Sequence, residues 1–229
     1  MKIGIMQPYL FPYIGYFQLI NAVDTFVIYD DVNYIKQGWI NRNRILMNNA
    51  PHYFTLSLKE ASSFKKIYEI EIGTNIEKLK KTLLQVYNKA PFFTTIYPLL
   101  QEILDYHDTN LARFITNSLI KISEYLGIQT RFYISSEQKI ACDLRGQKRV
   151  IAMINAFKAN EYINAIGGME LYSREDFKRE GIKLNFLRTS EIVYNQLSPT
   201  FTPNLSIIDV MMHNSFEQIK ILLNDYVLV

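Results

Sequence analysis

The chain alternates short apolar runs with longer segments in which apolar residues recur every three to four positions. Residues 2–6 form an apolar run typical of a buried strand, residues 14–23 have helical spacing, and residues 25–29 are β-branched and aromatic. Strands that alternate with helices in this way favour right-handed crossovers between parallel strands. The pattern predicts a Rossmann-like α/β fold, with a mostly parallel sheet flanked by helices.

The rest of the chain predicts further elements of both kinds. Residues 52–58 and 67–72 alternate with period two around the polar segment 59–66, which predicts an antiparallel hairpin inserted on the main sheet. A helical middle segment follows, and then strands alternate with one more helix. The predicted ranges are helices over 76–88, 94–106, 109–126 and 147–158, and strands over 131–134, 162–166 and 182–187. No internal repeat or shift in composition divides the chain, so residues 1–229 are predicted to form a single α/β domain.

Composition excludes several classes of partner. The 25 basic and 22 acidic side chains leave a formal charge of only +3, far from the basic surface of a nucleic-acid-binding protein. No segment has the roughly 18 apolar residues that a membrane span needs. The lone Cys142 forms no internal disulfide and is typical of a reducing compartment, so we expect the cytoplasm. The three histidines lack ligand spacing and are more typical of surface or capping positions, so no metal site is predicted. The sequence leaves the oligomeric state open.

The turn after the first strand is the first candidate site. Residues 7–17 contain two prolines, a glycine and three tyrosines between a predicted strand and a predicted helix. Ligands of α/β proteins bind outside the carboxyl ends of strands, where a helix N-terminus supplies free N–H groups. The alternative is a stiff loop whose tyrosines cover the core. The candidate substrate-binding residues are Gln7, Pro8, Tyr9, Tyr13 and Gly15, and Tyr16 is a candidate catalytic residue.

A second candidate segment covers residues 30–44. Asp30 and Asp31 point to opposite sides of the chain, so one carboxylate can serve as a general base, a hydroxyl anchor or a Mg²⁺ ligand. Arg42 and Arg44 point the same way on an extended segment and can bind one phosphate or carboxylate. The alternative is a surface turn closed by weak Asp–Arg pairs. The candidates here are Asp30 and Asp31 for catalysis, and Tyr34, Trp39, Asn41, Arg42, Asn43 and Arg44 for substrate binding.

Two later features are weaker signals. Gly167 and Gly168 follow a predicted strand, where a backbone without side chains can approach a pyrophosphate, but a tight turn explains them equally well. Ser206 and Asp209 are typical of a helix N-cap followed by an acidic residue in the first turn. We expect the two glycines to bind substrate and the Ser–Asp pair to be structural.

Residues 7–17, 30–34 and 39–44 together resemble the opening signature of the WbqC-like family. The likeness is distinctive over the first 45 residues and returns at residues 89–93, 162–172 and 205–209. Proteins of this kind are similar to products of O-antigen and other surface-polysaccharide gene clusters. The resemblance therefore implies an enzyme that transfers an acyl or aminoacyl group to the amino group of a nucleotide-linked sugar. It assigns no role to any residue.

A weaker likeness supplies a rival hypothesis. Tyr13-Ile14-Gly15-Tyr16 is similar in position to the His-x-Gly-His motif of HIGH-type nucleotidyltransferases, and residues 134–136 are similar to their second signature. Both histidines are tyrosines here, and a phenol does not carry the positive charge that imidazolium gives to a leaving phosphate. The alternatives to acyl transfer are ATP-dependent adenylate formation and a non-catalytic role in a glycan-assembly complex. The cofactor stays open between an acyl donor, ATP and Mg²⁺.

Overall fold

The computed structural model describes all 229 residues and contains ten strands and nine α-helices. The strands are β1 (Lys2–Met6), β2 (Thr25–Ile28), β3 (Arg42–Met47), β4 (Ala50–Thr55), β5 (Leu58–Lys59), β6 (Glu71–Ile72), β7 (Arg131–Ile134), β8 (Glu161–Ala165), β9 (Lys183–Thr189) and β10 (Tyr226–Leu228). The α-helices are α1 (Ile14–Asn21), α2 (Ile76–Tyr87), α3 (Phe93–Leu104), α4 (Leu111–Tyr125), α5 (Ser135–Gln138), α6 (Gly146–Ala156), α7 (Arg174–Arg179), α8 (Ile207–His213) and α9 (Phe216–Leu222).

Six strands form the central sheet in the order β10-β9-β8-β1-β2-β7. All neighbours are parallel except β10, which runs antiparallel to β9. The chain builds outward from β1 to β2 and β7, and then returns to the other side of β1 with β8 and β9. This reversal creates a topological switch point between β1 and β8, where open α/β sheets bind ligands. The prediction of a Rossmann-like, mostly parallel sheet is confirmed.

Helices cover both faces of this sheet because successive strand residues point to opposite sides. In β2, Phe26 and Ile28 belong to a cluster of 43 buried apolar residues, which also contains residues of α1–α4, α8 and α9. Val27 points the other way, into a cluster of 12 residues that includes side chains of α6 and α7. Ile3 and Ile5 of β1 join this second cluster. The continuous apolar runs of the sequence therefore mark strands buried on both faces.

The predicted antiparallel insertion is confirmed, but most of its strand pairing differs from the prediction. The longer hairpin joins β3 to β4 through Asn48 and Asn49, whose φ angles are positive, at 53° and 61° respectively. Asparagine tolerates this left-handed conformation, which two-residue hairpin turns require. Only Leu58 and Lys59 pair with β6, and residues 67–69 form a 3-10 helix instead of a strand. The Asn-Asn pair was the signal that the period-two analysis missed.

The helical middle segment is confirmed as α2, α3 and α4, whose ends lie within two residues of the predicted ones. The strands at 131–134, 161–165 and 183–189 and the helix at 146–156 also match their predictions closely. The elements after residue 205 were not predicted as a set: α8, α9 and the edge strand β10. No helix combines the length and the apolar character needed to cross a membrane.

Candidate functional site

A cleft of 360 Å³ opens near the carboxyl end of β1. Its walls come from the turn between β1 and α1, the region where β3 begins, and the end of the long loop 190–205 that joins β9 to α8. Its volume is within the range of small-molecule sites. The lining residues are Tyr9, Pro12, Tyr13, Trp39, Asn43, Arg44 and Asn204. The structure thus brings together both segments that the sequence singled out, and their role in binding stays a prediction.

The floor of the cleft is held by side chains from distant segments. Phe11 adopts a positive φ of 41°, a conformation that costs a bulky residue about 1–3 kcal/mol and that surrounding contacts must stabilise. The Asn43 amide donates to the carbonyl oxygens of Leu10 at 3.2 Å and Phe11 at 2.9 Å. The Ser206 hydroxyl donates to the same Phe11 oxygen at 2.7 Å while capping α8. Asn43 therefore supports the turn as well as lining the cleft.

Arg44 is the charged group of the cleft. Its Nη2 donates to the Asn204 carbonyl at 3.2 Å, and its Cζ lies 5.7 Å from the centre of the Trp39 ring. Its Nε is buried without a hydrogen-bond partner, and it makes no salt bridge. A guanidinium with unused donors and no paired carboxylate has the chemistry to bind an anion.

Arg42 has a different environment. Its Nε donates to the Gly38 carbonyl at 3.1 Å, its Nη2 contacts the Gln37 carbonyl, and its Cζ lies 4.4 Å from the centre of the Tyr53 ring. Tyr53 in turn lies 6.3 Å from Trp39. Arg42 is thus committed to backbone carbonyls outside the cleft, and the expectation that both arginines grip one anion does not fit this geometry. It supports the aromatic wall instead.

The tyrosines of the first turn have different positions. Burial raises the pKa of Tyr9 and Tyr13, so both phenols stay protonated and are available as hydrogen-bond donors at the cleft. Tyr16 is fully buried, and its hydroxyl donates to the Gln7 carbonyl at 2.8 Å. The catalytic role expected for Tyr16 does not fit this position, because its proton already fixes the end of β1. Pro8 is buried behind the turn.

Tyr34 and Asn41 form a buried structural pair. The Tyr34 hydroxyl donates to Asn41 Oδ1 at 2.8 Å, and the Asn41 amide donates to the Leu56 carbonyl at 2.8 Å. Both side chains are therefore used within the protein and do not line the cleft. Trp39, by contrast, lines the cleft and is 40% exposed at the mouth of the cleft.

Asp30 and Asp31 lie at the end of β2, outside the cleft. Asp30 is buried and accepts hydrogen bonds from the Ser136 backbone N–H at 2.9 Å and hydroxyl at 2.7 Å, which fixes the start of α5. Burial raises its pKa, although the serine hydrogen bonds oppose this effect. Asp30, Ser136 and Arg113 help to line a separate cavity of 240 Å³. The sequence-based role of Asp30 as a proton acceptor would therefore have to operate there.

Asp31 is committed to an ion pair with Arg149 of α6. The side chains are only 11% and 7% exposed, respectively, and Arg149 also lies over the Tyr29 ring at 5.3 Å. Ser135 Oγ lies 2.6 Å from Asp31 Oδ1. The pair joins the ends of β2 and β7 to α6, and so Asp31 has a structural function that adjacency in sequence does not reveal.

Gly167 and Gly168 lie where the topology predicts ligand binding. They follow β8 in a 3-10 helix, beside the end of β1 at the switch point. A Cβ at Gly167 would meet open space, whereas one at Gly168 would lie 2.5 Å from the Asn164 amide nitrogen. Packing alone explains the second glycine. Contact of either with a pyrophosphate stays a prediction.

A second cavity, of 420 Å³, adjoins the first. It lies between the end of β9, the start of α1 and the loop 190–205, and it shares Tyr13 and Asn204 with the cleft. Gly15 makes this boundary possible, because a Cβ there would lie 2.4 Å from the Tyr13 ring and 2.5 Å from Thr189 Oγ1. The glycine expected to bind substrate therefore makes room for Tyr13.

The loop 190–205 is anchored to the core by Asp209 of α8. This fully buried carboxylate accepts hydrogen bonds from Tyr194 at 2.8 Å, Tyr87 at 3.0 Å and the Gln196 amide at 3.0 Å. His213, expected at the surface or a cap, is buried with its Nδ1 2.8 Å from the Asp209 carbonyl oxygen. Ser206 is confirmed as the N-cap of α8, but Asp209 does more than favour the helix start.

Sequence reasoning named the turn that contains Pro12, although not Pro12 itself, and missed Asn204 and the rest of the loop 190–205. The loop has no regular structure and little periodicity, but its length was a signal, because structureless loops longer than about 12–15 residues are commonly functional. No group of three or more His, Cys, Asp or Glu side chains is placed to hold a metal ion.

The WbqC-like protein family matches residues 7–221, which include the first turn, β3, the loop 190–205 and Asp209. The uncharacterized protein Rv1507c of Mycobacterium tuberculosis (strain ATCC 25618 / H37Rv) is 31% identical over 217 residues, 93% of each chain. No solved structure matches the chain.

Proposed function

The chain belongs to the WbqC-like protein family, and we propose that it is a cytoplasmic enzyme of O-antigen or related surface-polysaccharide biosynthesis. It transfers an acyl or aminoacyl group to the amino group of a nucleotide-linked sugar. The observation that carries the proposal is Arg44, a cation without a carboxylate partner in a cleft with aromatic walls. The free, exposed Cys142 is in keeping with a reducing compartment.

The residues that line the cleft suit a nucleoside diphosphate. The unused guanidinium donors of Arg44 match phosphate oxygens, to which arginine binds in bidentate fashion. The Trp39 ring is exposed at the mouth and offers a stacking surface for a base. Tyr9 and Tyr13 add phenol donors that stay protonated because burial raises their pKa. A nucleotide-linked sugar supplies an anion, a ring and hydroxyl groups in one molecule.

The reaction requires an activated acyl donor, either a thioester or an acyl adenylate. The amine nitrogen attacks the acyl carbon, a C–N bond forms, and the bond to sulfur or to phosphate oxygen breaks. The neutral amine gives up one proton in this step, so an amine that binds as its ammonium ion must lose a proton before it attacks. Asp30 and Asp31 do not line the Arg44 cleft and hold α5 and α6 in place, so we do not assign that proton to them.

Adenylate formation by a HIGH-type mechanism has less support. Tyr16 replaces the second histidine of the motif and is buried, with its hydroxyl bound to the Gln7 carbonyl, so it cannot contact a leaving pyrophosphate without rearrangement. A non-catalytic docking role would predict an aromatic patch without an adjoining cavity. Tyr9, Tyr13 and Trp39 instead surround a cleft, which favours a small-molecule ligand.

Calorimetric titration with UDP and dTDP, with and without Mg²⁺, tests the proposal. We expect wild-type protein to bind at least one nucleotide and Arg44→Gln to bind it at least ~10-fold more weakly, because a charge-assisted hydrogen bond is worth about 1.5–3 kcal/mol. Arg179→Gln is the matched control, since it removes the same charge from an exposed side chain of α7. Equal binding by both variants, or no nucleotide binding by the wild type, would refute the proposal.

A further inference from the structure

The second cavity has a charge opposite to that of the first. Glu191 lines it and makes no salt bridge, and the Ser190 side chain makes no hydrogen bond within the protein. Arg44 is the unpaired cation of the neighbouring cleft. A ligand that extends from one cavity to the other would meet a cationic group first and a carboxylate second, with Tyr13 and Asn204 between them.

The remaining walls of the second cavity are suited to a sugar ring. Tyr194 and Phe201 pack with their ring centres 5.3 Å apart and present an aromatic surface to the cavity. Ile192 adds an aliphatic side chain to the same lining. Asp209 holds Tyr194 through a 2.8 Å hydrogen bond, so this wall is fixed to the core and not only to the loop. A sugar ring has an apolar face of C–H groups and polar substituents around its edge. The face can pack against such a wall while the substituents reach Ser190 and Glu191.

We propose that the second cavity binds the protonated amino group of the sugar, with Glu191 as its carboxylate partner and Ser190 as a further acceptor. The inference rests on the proposed function and deepens it, because it names the part of the substrate that each cavity recognises. Arg44 binds the anionic end and Glu191 binds the cationic end. A sugar with a hydroxyl group in place of the ammonium can still donate a hydrogen bond to Glu191 but lacks the positive charge, so its second interaction is weaker. The site therefore selects amino sugars over their hydroxyl analogues.

Calorimetry with matched nucleotide sugars tests this selection. One pair is UDP-glucosamine and UDP-glucose, and the other is dTDP-4-amino-4,6-dideoxyglucose and dTDP-6-deoxyglucose. The members of a pair differ only in the amino group. We expect wild-type protein to bind the amino member of at least one pair about 10-fold more tightly, as for a charge-assisted hydrogen bond. Glu191→Gln should abolish the preference and leave affinity for UDP or dTDP unchanged, whereas Glu175→Gln, on an exposed side chain of α7, should leave both unchanged.

The outcomes separate the two proposals. If nucleotides bind through Arg44 but neither pair shows a preference, the amine site is refuted and the proposed function stands. If no nucleotide binds, the proposed function is refuted, and NMR titration with free glucosamine and glucose decides the amine site alone. Shifts of the Ser190 and Glu191 amides with glucosamine only, lost in Glu191→Gln, would support it. No shift, or equal shifts with glucose, would overturn it.

Discussion

The Ser206 hydroxyl donates a hydrogen bond of 2.7 Å to the carbonyl oxygen of Phe11, 195 residues earlier in the chain. Ser206 is also the N-cap of α8, and its backbone N–H donates to the Arg44 carbonyl at 2.9 Å. One residue therefore joins the turn after β1, the strand that carries Arg44 and the helix that carries Asp209. The shape of the cleft depends on this junction, because all three segments meet there.

Ser206→Ala should destabilise the protein by about 1–3 kcal/mol. The Ile208 N–H at the start of α8 loses its acceptor, and the buried Phe11 carbonyl loses a donor. Urea unfolding measures the loss. Ser215→Ala removes the more exposed cap of α9, for which we expect about 1 kcal/mol. If Ser206→Ala costs less than Ser215→Ala, the junction does not support the fold as described.

The core of the fold could be predicted from the sequence because its signals are local. The apolar runs at β1 and β2 and the helical spacing of α2–α4 each reveal burial within a few residues. The same reasoning reached Arg44 and Trp39, since arginines, asparagines and aromatic residues are dense around them. It erred where a local signal had two interpretations, as at residues 52–55, which pair with β3 through the turn at Asn48 and Asn49.

The other half of the site depends on contacts between distant segments. Nothing near Asn204 shows that its carbonyl meets Arg44, 160 residues away. Asp209 follows a serine at N-cap spacing, which hides its hydrogen bonds to Tyr87 and Tyr194. Asp31 likewise has the sequence context of a catalytic carboxylate, beside Asp30 at the end of a strand. Only the position of α6 reveals its ion pair with Arg149.

The Asp31–Arg149 pair should behave as a buried ion pair in a double-mutant cycle. Asp31→Asn strands the Arg149 cation and should cost about 3–5 kcal/mol. Arg149→Met in that background should cost much less than in the wild type, with a coupling of about 1–3 kcal/mol. Denaturant unfolding of the four proteins gives the coupling. The exposed Lys59–Glu71 pair is the control, with less than about 1 kcal/mol expected, and additive costs at Asp31 and Arg149 would contradict the buried pair.

The raised pKa of Asp30 has a definite sign in a pH profile. Folding disfavours its ionised form, so its contribution to stability is fully present below the unfolded pKa, near 3.8, and is lost as pH rises through the folded pKa. Asp30→Asn cannot ionise and escapes this loss. We therefore expect the melting temperature of Asp30→Asn, relative to wild type, to rise as the pH is raised from 3.5 towards neutrality.

Scanning calorimetry across that range measures the difference, in which titrating groups remote from Asp30 cancel. Asp143→Asn, which changes an exposed carboxylate, is the matched control. A difference that falls with pH for Asp30→Asn would mean that the serine hydrogen bonds outweigh burial and lower the pKa of Asp30.

Gly15→Ala sets helix propensity against packing. Alanine favours a helix by about 1 kcal/mol over glycine, and Gly15 lies in the first turn of α1. The added Cβ, however, would lie 2.4 Å from the Tyr13 ring and 2.5 Å from Thr189 Oγ1, and overpacking of this kind costs about 1–3 kcal/mol. Tyr13 lines both cavities and Thr189 lines the second, so movement of Tyr13 to relieve the clash would change the boundary between the cavities. We expect a net loss of stability in urea unfolding, and we expect calorimetry to show nucleotide affinity weakened at least ~3-fold.

Gly167→Ala is the control, because it adds a methyl group into open space and should leave stability nearly unchanged. Gly181→Ala is unsuitable because the φ of Gly181 is +72°. A Gly15→Ala protein as stable as the wild type, with unchanged affinity, would show that Tyr13 moves freely and does not define the boundary.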